Sequence, residues 1–191
     1  MVNQDITSCT SNFKIASNNY ADYFKKKDSS LLKQALFHIE KSLNCQQTRR
    51  GAIDLKISLL SLLKEYKRGY EFIDSLNDND FTAKYKKGMD YNYFLALEYE
   101  AKSDTANRNK LLNETVTNIQ NYIRQKDISK ENFPEEAYYD FYFIKKRFMN
   151  FGEINAELNF LKKEYPQEKD FFDGLGTVNE QKHEVNSSES Q

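Results

Sequence analysis

The sequence predicts an all-α protein assembled from antiparallel helical hairpins, and three observations carry that prediction. Glycine and proline number only 6 and 2 in 191 residues, too few for the frequent tight turns of a strand-rich fold. Apolar residues recur at intervals of three and four almost throughout, the period of an amphipathic helix. The breaks in that period are short and polar, and they divide the chain into stretches that pair as four hairpins. At this length, with 39% hydrophobic and 30% charged residues, the chain has enough material for one domain with a substantial core.

The elements follow in order. Residues 1–12 carry no clear period and are expected to be a flexible N-terminus ahead of a helical domain over 13–175. Phe13, Ala16, Tyr20, Ala21 and Phe24 mark a first helix. The break KDSS offers Asp28 or Ser29 as the cap of a second, whose stripe is Leu32, Ala35, Leu36, Ile39 and Leu43. After NCQQTRRG, a third helix carries Ile53, Ile57, Leu60 and Leu63, and KEYKRGYEFIDSL gives a tight turn and a fourth. A long helix is expected from about Phe81 to Ala101, then a polar loop KSDTANRN, then a helix from about Lys110 to Arg124. The polar linker QKDISKENFP ends at Pro134, where proline followed by Glu135 and Glu136 suits a helix start. Helices over 135–149 and 154–165 complete the fourth pair, with Phe171, Phe172 and Leu175 available to cap it. The tail from Gly176 to Gln191 has no apolar payload and is expected to be disordered.

The stretch AYYDFYFIKKRFMNF, residues 137–151, is dense in aromatic rings. At about 100° per residue, Ala137, Phe141, Ile144 and Phe148 share one side of a helix, and Tyr139, Tyr142, Phe143 and Lys146 share a second. Two apolar faces imply a helix covered on two sides, or one whose second face receives a partner. The competing expectation for Tyr139, Tyr142 and Phe143 is packing under the C-terminal segment with Phe171 and Phe172.

The second helices share a spacing. Ala35 and Leu36 in the first pair answer to Gly69 and Tyr70 in the second, and Ala35 and Gly69 lie 34 residues apart. Tyr20, Ala21 and Phe24, and again Leu95, Ala96 and Tyr99, fit a first-helix signature, with KEY at 64–66 and GEI at 152–154 at the turns. In these features residues 13–165 resemble a tetratricopeptide repeat array, whose period is about 34 residues. The departures are the missing repeat-ending proline, the longer third and fourth units, and Lys145 where a small residue is usual. The resemblance implies a short right-handed α-solenoid whose first helices line a concave groove that holds a partner peptide. On that basis Tyr139, Tyr142 and Lys146 face the groove, joined by Tyr93, Leu97 and Glu100 from the preceding first helix and by Asp54 and Ser58 from the second hairpin. The family's carboxylate clamp is not matched, because Asn18 and Asp22 stand at the corresponding places of the first repeat.

No catalytic residues are assigned. His38 and Glu40 sit two apart on a helix and point in different directions. Two histidines and the cysteines Cys9 and Cys45 form no metal-ligand spacing, and no phosphate loop or nucleophile motif is present. No cofactor or metal is expected. A formal net charge of −1, with acids and bases mixed, disfavours nucleic acid and anionic membranes. The runs KKK at 25–27 and KYKK at 84–87 keep an RNA-binding helical repeat as the alternative. The N-terminus has no hydrophobic signal core, so the expectation is a cytoplasmic protein. The function expected is a non-enzymatic interaction module for another protein or peptide: an adaptor, an assembly factor or a stoichiometric inhibitor such as an immunity protein. Self-association through Tyr139 and Tyr142, giving a homo-oligomer, is a further reading.

Overall fold

The computed structural model describes residues 2–126 and 132–177. Among these the protein has nine α-helices and no strand: α1 (Val2–Lys26), α2 (Ser29–Ser42), α3 (Arg49–Leu62), α4 (Tyr66–Asp74), α5 (Lys86–Ala101), α6 (Thr105–Arg124), α7 (Glu135–Lys145), α8 (Phe151–Glu164) and α9 (Lys169–Thr177). Single 3-10 turns lie at Asp78–Asp80 and Pro166–Glu168. No described helix is long and apolar enough to cross a membrane.

Contacts divide the chain into two compact units, Met1–Thr105 and Ala106–Gln191. In the first unit each helix packs on the next, from α1 through α5, and α1 also touches α3. Its core joins Ala16 of α1 with Leu32, Ala35, Leu36 and Ile39 of α2, and continues through Leu59, Leu60 and Ile73 to Phe94 of α5.

Two glycines permit close approach in this unit. A Cβ on Gly51 of α3 would stand 2.9 Å from the Phe13 ring of α1, and one on Gly69 of α4 only 2.1 Å from the Phe94 ring. The small residue read from the repeat spacing at Gly69 therefore has a packing reason.

The hairpin turns share one solution. Among the described residues Lys27, Lys64 and Ser103 are the non-glycine residues with positive φ, at 55°, 58° and 60°. After α1, the Lys27 N–H closes on the Tyr23 carbonyl at 2.7 Å, the simple left-handed helix cap. After α3, Lys64 bonds Ser61 and Glu65 bonds Leu60; after α5, Ser103 bonds Glu100 and Asp104 bonds Tyr99. These two pairs are Schellman closures. An acidic residue follows each time (Asp28, Glu65, Asp104), and a new helix starts at once. Asp28 caps α2, accepting the Ser30 N–H at 2.9 Å.

Several boundaries differ from expectation. Helix α1 starts at Val2, where a flexible segment over 1–12 was expected. Its N-terminal half docks on α2: Ser42 donates to the Cys9 carbonyl at 2.9 Å, and the His38 ring pairs with the Asn12 amide at 2.8 Å. No disulfide joins Cys9 and Cys45. Helix α5 begins at Lys86 rather than Phe81, and residues expected in the loop before α6 form its first turn from Thr105. Most of the expected tail, residues 178–191, lies outside the described residues.

In the second unit Phe172 of α9 is fully buried. It sits among Phe133, Tyr138, Tyr165 and Phe171, with Phe133 stacked on Tyr138 at 5.1 Å and the Phe172 ring edge-on to both. Asn150 caps α8 by accepting the Glu153 N–H at 2.9 Å. The salt bridge between Lys162 and Asp173 ties α8 to α9.

Candidate functional site

Helix α7 is short and nearly surrounded. Pro134 precedes it and Glu135 and Glu136 occupy its first turn, where acids meet the positive end of the helix dipole. Ala137, Tyr138, Asp140, Phe141, Tyr142, Ile144 and Lys145 are all buried. Tyr139 is 55% exposed and Phe143 38%. Spaced four apart, these two leave a narrow aromatic strip on the surface, and the Arg147 guanidinium lies 5.8 Å from the Phe143 ring centre.

The predicted face of α7 thus splits. Tyr142, expected to face a groove, is 1% exposed, and its hydroxyl approaches Glu157 of α8 at 3.4 Å. Burial, reinforced by the Glu157 charge, pushes that hydroxyl well above the usual tyrosine range. The physical reason is the C-terminal helix: α9 lies against α7, and helical phase alone cannot register a neighbour that begins 24 residues after the helix ends. Lys146 is half-buried, and its ammonium donates to the Leu175 carbonyl in the last turn of α9, a favoured place for a cation. Burial pushes the Lys146 amine below its ordinary value. A pocket of about 310 Å³ remains here, walled by Tyr139, Tyr142, Phe143 and Lys146 on α7 and by Phe171 and Leu175 on α9.

The other three predicted residues belong to α5 in the first unit. Tyr93 is buried at 9% exposure, Leu97 is half-buried and Glu100 is exposed. Asp54 is exposed on α3, and Ser58 is half-buried there, donating back to the Asp54 carbonyl at 3.0 Å. The structure brings Tyr139, Tyr142 and Lys146 together around one pocket, and sets Tyr93, Leu97 and Glu100 along one helix of the other unit.

A larger cleft, about 600 Å³, opens on the adjoining flank of α7 between α6 and α8, with Tyr142 lining both. Tyr138, Phe141 and Tyr142 form its inner wall, and Phe160 of α8, 59% exposed, stands beside them. Lys145, the residue standing where the repeat pattern has a small one, lies in this cleft and is 8% exposed. Its ammonium donates to both Glu157 oxygens at 2.6 Å and rests 4.6 Å from the Phe141 ring centre. Glu157 is held by Lys145 and Tyr142 together, so this acid and this base are closed on each other. Arg124 at the end of α6 and Glu164 near the end of α8 also line the cleft. Both are exposed, and neither has an ion-pair partner among the described residues.

No protein-family model, curated protein or solved structure matches the chain. The site rests on its own geometry.

Sequence reasoning missed Phe160, Glu157 and Arg124. Phe160 left a trace: it is an aromatic residue just off the Ile154, Leu158, Leu161 stripe of its helix. Arg124 and Glu157 left none, since a charged residue on a polar helix face is ordinary. Among the described residues no cluster of three or more His, Cys, Asp or Glu side chains could hold a metal ion.

Proposed function

We propose that this chain is a non-enzymatic interaction module of tetratricopeptide-like architecture, which receives a segment of another protein in the aromatic cleft between α6, α7 and α8. The observation that carries the proposal is the cleft itself: about 600 Å³, within the range of binding sites, walled by tyrosine and phenylalanine and flanked by a mostly exposed Phe160. Rigid aromatic side chains give large contact area at little entropic cost, and they anchor many interfaces.

Support for the repeat architecture comes from the first unit. The same left-handed turn followed by an acid recurs at Lys27, Lys64 and Ser103. Helices α1 and α3, the first helices of successive hairpins, also touch each other, as neighbouring first helices do in stacked hairpins. The role is that of an adaptor, assembly factor or stoichiometric inhibitor.

The test is capture of a partner from native cell extract by wild-type protein, followed by titration of the purified partner. Phe160→Ala and Tyr139→Ala serve as paired variants, because both side chains are exposed and should leave the melting temperature unchanged. The expected result is a one-to-one complex, weakened about tenfold or more by Phe160→Ala, as for a truncated anchor residue. Tyr139→Ala should bind as wild type. Weakening by Tyr139→Ala alone would move the site to the α7–α9 pocket.

A further inference from the structure

The cleft between α6, α7 and α8 is not uniformly apolar, and its polar groups restrict what can fill it. The Lys145 ammonium carries three N–H donors, of which two reach the Glu157 carboxylate. One remains. An occupant made only of hydrocarbon would bury this ion pair further without satisfying that donor, which is costly. An occupant with carbonyl oxygens satisfies it. Peptide backbone is such an occupant, and an acyl chain is not.

The walls add a charge pattern. Lys145 and Glu157 neutralise each other, leaving Arg124 on the α6 wall and Glu164 on the α8 wall as the charges without ion partners among the described residues. The lining of α8 runs from Ala156 to Tyr165, about 14 Å at the helical rise. An extended chain advances about 3.3 Å per residue, so four or five residues span it. The exposed Phe160 lies between the ends of that run and beside the Tyr138–Phe141–Tyr142 wall.

Building on the interaction-module reading, we infer that the cleft recognises an extended segment of a partner protein that carries a large apolar side chain together with an acidic and a basic residue. The apolar side chain packs between Phe160 and the tyrosine wall. The acid pairs with Arg124, the base pairs with Glu164, and a backbone carbonyl takes the third Lys145 N–H.

The test uses full-length protein and three blocked pentapeptides, followed by amide chemical-shift titration. The first has a central Phe flanked by Asp and Lys. The second has Asn and Gln in place of the charges, and the third has Ala in place of Phe. The expected result is that the charged peptide shifts amides of residues 120–124 and 156–165 and binds about two- to tenfold more tightly than the neutral one, the range for two exposed ion pairs. The Ala-centred peptide should be the weakest. In Arg124→Ala/Glu164→Ala protein, both sites being exposed and without ion partners, the charged and neutral peptides should bind alike. Equal binding of the two to wild-type protein at the cleft would overturn the charge pattern and leave the interaction-module reading standing. Absence of any shift at the cleft up to millimolar peptide would overturn the inference altogether, and capture of a partner weakened by Phe160→Ala would then speak separately for the module.

Discussion

Gly69 is where the first unit is least tolerant of added volume. A methyl group there would meet the Phe94 ring at 2.1 Å, and that ring is fully buried, with nowhere to swing. Overpacking of this kind costs about 1–3 kcal/mol, against roughly 1 kcal/mol gained when alanine replaces glycine in a helix. The clash wins. Gly69→Ala should lower unfolding free energy by about 1 kcal/mol or more, and Gly69→Ala/Phe94→Leu should recover part of the loss. Gly88 in α5 is the control, since a methyl group there has nothing within 4 Å. Gly88→Ala should raise stability by up to about 1 kcal/mol. Urea titrations of the four proteins decide the matter, and a destabilising Gly88→Ala would show that propensity is not the governing term at that site. At the same scale, Lys145 looks anomalous in the sequence alone. In the structure it spans from α7 to Glu157 on α8, filling with a paired charge the place where the repeat pattern carries a small residue.

At the scale of the element, the three αL turns show what was legible and what was not. Helix identities were readable because one face of each helix must be buried, and burial writes a 3.6-residue period into the sequence. The turns were readable only as polar breaks. Lysine and serine do not announce a left-handed backbone as glycine would, so the shared Schellman geometry at Lys64 and Ser103 emerged only from the hydrogen bonds. The start of α1 was missed because Ile6, Cys9 and Phe13 are sparse among polar residues, although they keep helical spacing. The sequence offered burial of Tyr139, Tyr142 and Phe143 under the C-terminal segment only as one of two readings. The choice among them depends on where α9 docks, a tertiary fact that no local window contains; of the three only Tyr142 is buried. The same limit hid the larger cleft, whose walls come from three helices.

These turns also carry a prediction. A non-glycine residue in the αL region costs about 1 kcal/mol or more, and the lost penalty outweighs glycine's extra chain entropy where the helix has already ended. Lys64→Gly should therefore stabilise the protein by about 0.5–1 kcal/mol, read as a higher denaturant midpoint at unchanged slope. Among the described residues the Lys64 side chain has no hydrogen-bond partner that would offset the gain. A lower midpoint would mean that the Lys64 stem packs usefully on its neighbours.

For the molecule as a whole, the common electrostatic feature is a set of carboxylates held below their ordinary range. Asp80 is lowered chiefly by the Arg49 guanidinium, which grips it through Nε at 2.7 Å and Nη2 at 2.8 Å. Asp22 is lowered by Lys26, Asp28 by the Ser30 backbone N–H, Glu98 by Lys102 and Asp173 by Lys162. In every case the folded protein binds its proton less readily than the unfolded chain does. The stability this contributes is fully present above the unfolded carboxylate pKa of about 4, and is lost as pH falls through the lower folded values. The melting temperature should therefore hold steady above about pH 5 and drop steeply below about pH 4. Most of these groups are solvent-screened and each adds little. Asp80, whose side chain is 12% exposed, is the exception. It also anchors the 3-10 turn by accepting the Asn77 N–H, so it fastens the segment between α4 and α5 to the start of α3. Asp80→Asn should melt lower than wild type at pH 7 and lose less on acidification, so that the two curves converge toward pH 3. Parallel curves across that range would show that the Arg49–Asp80 pair does not set the acid sensitivity, and would shift the burden to the helix-end carboxylates.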